Sequence, residues 1–280
     1  MKHILPTASL ALLMAGVAAP ALAQSSTDWS GPYIGIYGGV IDNNEQAGET
    51  LIFDRDFDGD FDDTVFTSGG ADAFAPGRCD GAATTNEFAG GCNKDDRGVE
   101  AGIRAGYDWQ FGNGIVAGVV GEWSAVSLTD TVTSFSSTPA NYVFGRELES
   151  MAALRARVGF AAGSGLYYVT GGPAYGKIRN TFRTTNTANS FVVQSDEDDA
   201  DGFQLGAGME WRLAPGLSLV GEYLYTDLTP GDHVIRVGNT GTTPATNPFI
   251  LPPNTAGTDM TRSNDSMELH ALRIGMNVRF

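Results

Sequence analysis

From Leu269 to Phe280 two registers interleave. Leu272, Ile274, Met276, Val278 and Phe280 fall on one parity, and Arg273, Gly275, Asn277 and Arg279 fall on the other. Successive side chains of a strand point to opposite faces, so this period of two predicts a strand that is apolar on one face and runs to the last residue. The pattern recurs seven times upstream. Residues 32–40 set Ile34, Ile36 and Val40 against Tyr33, Gly35, Tyr37 and Gly39, and residues 99–111 alternate Val99, Ala101, Ile103, Ala105, Tyr107, Trp109 and Phe111 with Glu100, Gly102, Arg104, Gly106, Asp108 and Gln110. Residues 117–125, 152–160, 166–178, 203–213 and 219–226 read the same way, with Trp123, Leu154, Val158, Tyr167, Val169, Leu205, Met209 and Tyr223 among their apolar positions. Pro173 interrupts the fifth of these strands and predicts a bulge or a distorted ladder there, because proline cannot donate to a neighbour.

The connections alternate in length. Gly112-Asn113-Gly114, Ala162-Gly163-Ser164-Gly165 and Ala214-Pro215-Gly216 are tight-turn signals. Residues 41–97, 127–147, 179–201 and 229–266 are long, polar and without sustained period, and read as loops. Short and long connections in alternation predict an all-β fold: an eight-stranded antiparallel up-and-down transmembrane β-barrel with four long extracellular loops, both termini lying with the short turns on the periplasmic side.

The inverse arrangement, a soluble lipocalin-like barrel, would turn the apolar parity inward. Two features favour the membrane. The polar parity carries Glu100, Arg104, Asp108, Glu122, Arg155, Arg157, Glu210, Arg212, Glu222, Arg273 and Arg279. Those signs nearly cancel, which suits pairing inside a closed tube better than a solvated surface. On the apolar parity, Phe111, Phe160, Tyr167, Trp211 and Phe280 gather at the short-turn end with Trp29 just outside it, and Trp123, Tyr175, Phe203 and Tyr225 gather at the loop end. Two aromatic belts imply two membrane interfaces.

Composition adds the compartment. Residues 1–23 read as a cleaved signal peptide: Lys2 and His3, an apolar run to Ala19, and Ala21-Leu22-Ala23 as cleavage site, leaving residues 24–280 as a single barrel domain starting at Gln24. No later apolar run approaches the length of a spanning helix, so any crossing is by strands. The net charge is −16, with a pI near 4.4, which argues against a nucleic-acid partner. Cys79 and Cys92 are the two cysteines of an exported chain and are expected to form a disulfide.

The segments Gly31-Pro-Tyr-Ile-Gly35, Leu154-Arg-Ala-Arg-Val-Gly-Phe160, Tyr168-Val-Thr-Gly-Gly-Pro-Ala-Tyr-Gly176, Gly206-Ala-Gly-Met-Glu210, Glu222-Tyr-Leu-Tyr225 and Arg273-Ile-Gly-Met-Asn-Val-Arg-Phe280 together resemble the porin-family outer-membrane β-barrel proteins. These are the small OmpA-like and opacity-type barrels of Gram-negative bacteria, including RopB-like surface antigens. The resemblance spans the eight strands and none of the long loops. It implies an outer-membrane location, contact with lipid and lipopolysaccharide, and recognition of Phe280 by the barrel-assembly machinery during biogenesis. It carries no shared catalytic site. The chain departs from the family pattern at Pro173 and Val120.

Three chemistries can be weighed. Asp54-Arg-Asp-Phe-Asp-Gly-Asp-Phe-Asp-Asp63 contains the D-x-D-x-D-G opening of a calcium loop, with Asp54, Asp56, Asp58, Asp60 and Asp62 as candidate ligands; Val65 stands where the bidentate acid belongs, so only weak calcium binding is expected and no other cofactor. The interior charges read either as a salt-bridged plug or as the lining of a small diffusion porin, and the plug is preferred because eight strands leave a bore that side chains can fill. An outer-membrane lipid-modifying enzyme needs a Ser, His and acid together. After removal of His3 only His233 and His270 remain, so no enzyme is expected. The reading is therefore a structural barrel whose loops meet host or surface ligands.

Overall fold

The computed structural model of the chain describes residues 28–43 and 48–280. The predicted leader, 1–23, and the start at Gln24 lie outside the described residues. Fifteen strands follow in order: β1 (Gly31–Asn43), β2 (Leu51–Asp54), β3 (Gly77–Asp80), β4 (Ala82–Ala83), β5 (Cys92–Asn93), β6 (Gly98–Gln110), β7 (Ile115–Ser136), β8 (Ala140–Ala162), β9 (Gly165–Thr184), β10 (Asn189–Asp196), β11 (Asp199–Ala214), β12 (Leu217–Pro230), β13 (His233–Asn239), β14 (Thr258–Arg262) and β15 (Met267–Arg279).

Eight of them pair antiparallel in the order β7-β6-β1-β15-β12-β11-β9-β8, and a β7–β8 ladder joins the two ends. The ring of pairings is thus closed, and the first and last ring strands meet from Tyr33↔Arg279 to Asn43↔Leu269. Closure satisfies the row of backbone donors and acceptors that an edge strand would leave open. The apolar parity points out of the ring: Ile36, Ile103, Leu154, Val169, Leu205, Leu272 and Ile274 are all exposed. The polar parity points in, and Tyr33, Tyr37, Arg104, Arg155 and Glu222 are buried. Of the aromatic belts, Phe111, Phe160, Tyr167, Trp211, Trp123, Tyr175 and Phe203 stand exposed on the outer face. Trp29 differs: it is buried and packs with Val116, Leu166 and Tyr168 across the short-turn mouth.

The structure corrects the four long loops. The stretch 127–147 is mostly strand, because β7 and β8 continue their ladder past a bulge between Ala125 and Leu128 as far as Ser136↔Ala140. The alternation disappears there because both faces are covered, with Val132, Thr133, Ser134 and Phe135 all buried. A strand buried on both sides shows no period of two. The other three stretches supply β2, β10, β13 and β14, which form a second sheet in the order β10-β13-β14-β2. A core of Phe53, Val132, Tyr142, Phe144, Ile235, Val237, Phe249 and Met260 joins this sheet to the extensions of β7 and β8. The loop side of the ring therefore carries a folded cap.

Pro173 produces a gap and no bulge. The β8–β9 ladder pairs Ala153↔Ala174 and resumes at Ala156↔Gly171 in unchanged register, while the register shift of this ladder lies between Leu148 and Ser150. On the other side Phe203 still sits opposite Pro173.

Candidate functional site

The inward parity brings ten of the eleven predicted interior charges into two connected clusters. Nearer the short turns, Arg157 Nε donates to Asp108 Oδ1 at 2.7 Å and Arg157 Nη1 to Glu210 at 3.2 Å. Arg279 Nη2 reaches Asp108 Oδ2 at 2.7 Å, and the Ser218 hydroxyl donates to Glu210 at 2.5 Å. The Arg157 guanidinium lies 4.6 Å from the Tyr33 ring centre and 4.9 Å from that of Tyr168, a cation–π sandwich.

Towards the loop side, Arg104 pairs with Glu222 at 2.6 Å, Arg155 with Glu122 at 2.7 Å, and Arg273 Nη2 with Glu100 at 2.7 Å. Arg273 also pairs with Glu122, and the Tyr168 hydroxyl donates to Glu222 at 2.9 Å, tying the two clusters together. Every one of these side chains is buried. A buried charge left alone costs several kcal/mol, so the arrangement holds only because each ion meets an opposite one.

Arg212 is the exception. It is half-buried at the short-turn mouth, where it donates to the Asp28 carbonyl at 2.8 Å and stacks 4.4 Å from the Trp29 ring centre. Its departure leaves Asp108, Glu210, Glu100, Glu122 and Glu222 against Arg157, Arg279, Arg104, Arg155 and Arg273, an even balance.

Above the ions lies a layer that the sequence reading missed. Ile41, Leu128, Leu148, Met151, Ile178, Leu224, Leu228, Met267 and Leu269 form one buried apolar cluster on the inward parity. Leu224 is the next inward residue after Glu222 on β12, and Ala271 and Leu269 continue inward from Arg273 on β15. The available signal was that Leu224 and Leu269 are apolar on the parity otherwise held by charges. The layer is mainly apolar, with buried Thr226 between Leu224 and Leu228 on β12 and Gln204 Nε2 donating to Met151 Sδ at 3.4 Å.

In the cap, Arg262 is buried between Glu49, at 2.5 Å, and Asp130, also at 2.5 Å. Burial opposes its charge, but the two carboxylates outweigh burial and raise its pKa. Arg146, buried beside it, has its pKa lowered to about 10 by burial and by the neighbouring Arg262. Cys79 and Cys92 form the expected disulfide, Cα to Cα 6.1 Å, joining β3, which pairs along its edge with β7, to β5, which pairs with β4.

Of the calcium candidates, Asp54, Asp56 and Asp58 bring ligand oxygens within 4.8 Å of one another. Asp60 and Asp62 lie outside that group. Asp54 also serves its own loop, accepting from the amides of Phe57 at 2.6 Å and Gly59 at 3.0 Å, where Phe57 adopts a left-handed φ of 63°. The histidines stand far apart in role. His233 is buried in the cap, 3.2 Å from Asp196 and edge-on to Phe144, and burial lowers its pKa. His270 faces outward and shares a 2.6 Å hydrogen bond with the Tyr223 hydroxyl. Phe280 is exposed at the short-turn rim, its amide donating to the Pro32 carbonyl at 3.0 Å.

Comparison with known proteins gives consistent matches. The family described as the outer membrane protein beta-barrel domain matches residues 9–280. The 31 kDa outer-membrane immunogenic protein of Brucella melitensis is 30% identical over 268 residues, covering 94% of this chain and 88% of the relative. Its Brucella suis counterpart has the same identity and coverage. The crystal structure of the outer membrane protein OprG from Pseudomonas aeruginosa aligns with 91% of this chain and 99% of its own, at 13% identity and a TM-score of 0.46.

Proposed function

We propose a sealed, surface-presenting barrel, and the premise is the family: this chain belongs to the outer-membrane β-barrel proteins and resides in the Gram-negative outer membrane. The ring is read as eight transmembrane strands, with the exposed apolar parity against lipid, the cap outside the cell beside lipopolysaccharide, and Phe280 at the periplasmic rim for the assembly machinery. The observation that carries the sealed reading is the apolar layer around Leu224 and Leu269, stacked on five balanced Arg–carboxylate sets. An eight-stranded bore is just wide enough to be filled by side chains, and these two layers support the reading that it is.

The work of such a protein is structural and interactive, through the cap. The relatives named as immunogenic outer-membrane proteins support exposure of that cap at the cell surface. No catalysis is assigned. Asp54, Asp56 and Asp58 are at most a weak calcium site.

The test is conductance in planar bilayers. The refolded protein should show no steady single-channel steps. A Leu224→Ser, Leu269→Ser, Arg155→Gln variant, which wets the apolar layer and loosens the ions below, should show them. Steady steps from the unaltered protein would establish the small-porin reading instead.

A further inference from the structure

The tip of the cap holds a cleft unlike the rest of the molecule. It has a volume of about 210 Å³ and lies between the β7–β8 turn, the β9–β10 turn and the segment around Phe249. No charged residue lines it, in a chain of 33 acidic and 17 basic residues. Its floor is aromatic. Phe74, half-buried, packs its ring 5.2 Å from that of Tyr142 and 5.9 Å from that of Phe249, centre to centre. The rim is hydroxyl and amide: Ser137, Thr138 and Thr187 are exposed, and Asn186 donates to the Tyr142 hydroxyl at 2.9 Å.

We infer that this cleft binds a neutral sugar, one pyranose unit of a glycan met at the cell surface. An aromatic ring presents a negative face to the weakly positive C–H groups of a pyranose, and hydroxyl and amide groups around it can both donate to and accept from sugar hydroxyls. A mainly apolar pocket with a few convergent polar groups is the usual form of a small-ligand site. The absence of charge on the lining selects against sulfated or acidic sugars, which the acidic surface would also repel. The rim is held in place from below, since the Ser137 amide donates to the Ala73 carbonyl at 2.7 Å and Asn247 bonds Asn189 at 2.9 Å.

The inference rests on the cap facing outward, and its test is independent of that reading and of conductance. Saturation-transfer NMR on the full refolded chain, in dodecylphosphocholine micelles that carry no sugar headgroup, would use methyl glucopyranoside and maltotriose as probes and glucuronate as the charged comparator. Saturation should reach the pyranose ring protons of the neutral probes and not glucuronate. Ser137→Trp, a change on the exposed rim that fills the mouth, should abolish it. Phe74→Leu, which keeps an apolar side chain there and removes the ring face, should weaken binding about tenfold. No transfer from the neutral probes at tens of millimolar, equal transfer to glucuronate, or transfer unaffected by Ser137→Trp would overturn the assignment. So would capture of phenylalanine amide without capture of either sugar, which would make the cleft a peptide site.

Discussion

Arg273 on β15 and Glu100 on β6 join across the strand that separates them, and both lie opposite the same residue of β1, Gly39. A Cβ on Gly39 would stand 2.6 Å from the Leu272 carbonyl oxygen and 3.1 Å from Arg273 Cγ, so the missing side chain is what lets the pair meet. Glu100→Gln should therefore cost about 3 kcal/mol or more, because Arg273 keeps its charge in a buried site with one acid fewer. Gly39→Val should destabilise as well, by the clash. Urea unfolding of the micelle-bound protein measures both, and a double variant Glu100→Gln, Arg273→Gln should cost less than the sum of its parts.

The cap should weaken in mild acid. Burial of His233 lowers its pKa below the ordinary 6.5. The folded form therefore binds the proton less readily than the unfolded form. Its contribution is complete above pH 6.5 and is lost as pH falls from there through the depressed folded value. Protease cleavage of the cap measured from pH 8 to pH 5 should rise below about pH 6.5, and His233→Gln should flatten that rise. A profile identical in the variant would show that His233 is not the titrating group.

Reduction of the Cys79–Cys92 bond should act locally. The two cysteines close a loop with a sequence separation of 13 residues. In the chain-entropy model such a cross-link stabilises by roughly 3 kcal/mol. Treatment with a reductant should make the segment 77–95 the first site of proteolysis, while the heat-dependent gel shift of the barrel stays as it was. Loss of the barrel's own shift on reduction would contradict this division.

Calcium should bind the aspartate loop weakly. Calorimetric titration is expected to give heat only at millimolar calcium, and Asp56→Asn with Asp58→Asn should remove it. Asp54→Asn should instead loosen the loop with no metal present, because the Asp54 carboxylate holds the Phe57 and Gly59 amides. Hydrogen exchange at those two amides reads the second effect apart from the first.

The alternation of apolar and polar residues specified the eight ring strands, and the balanced charges on one parity with the aromatic belts on the other decided which parity faces inward. The alternation works because each ring strand lies between two unlike surroundings, so Ile274 and Arg273 cannot exchange faces without exposing a charge on the apolar outside. The same pattern placed Arg104, Arg155, Arg273 and their carboxylates inside, without saying which partner each would take. Only the tertiary structure decided the rest. Arg212 falls at the mouth because the segment just ahead of β1 sets the Trp29 ring against it. The extensions of β7 and β8 are buried on both sides, and a segment with the same surroundings on either face leaves no period in the sequence to read. The second sheet of the cap is made of short strands brought together from separate long stretches, and the apolar layer at Leu224 and Leu269 keeps the alternation of its strands, so neither could be told from the pattern alone.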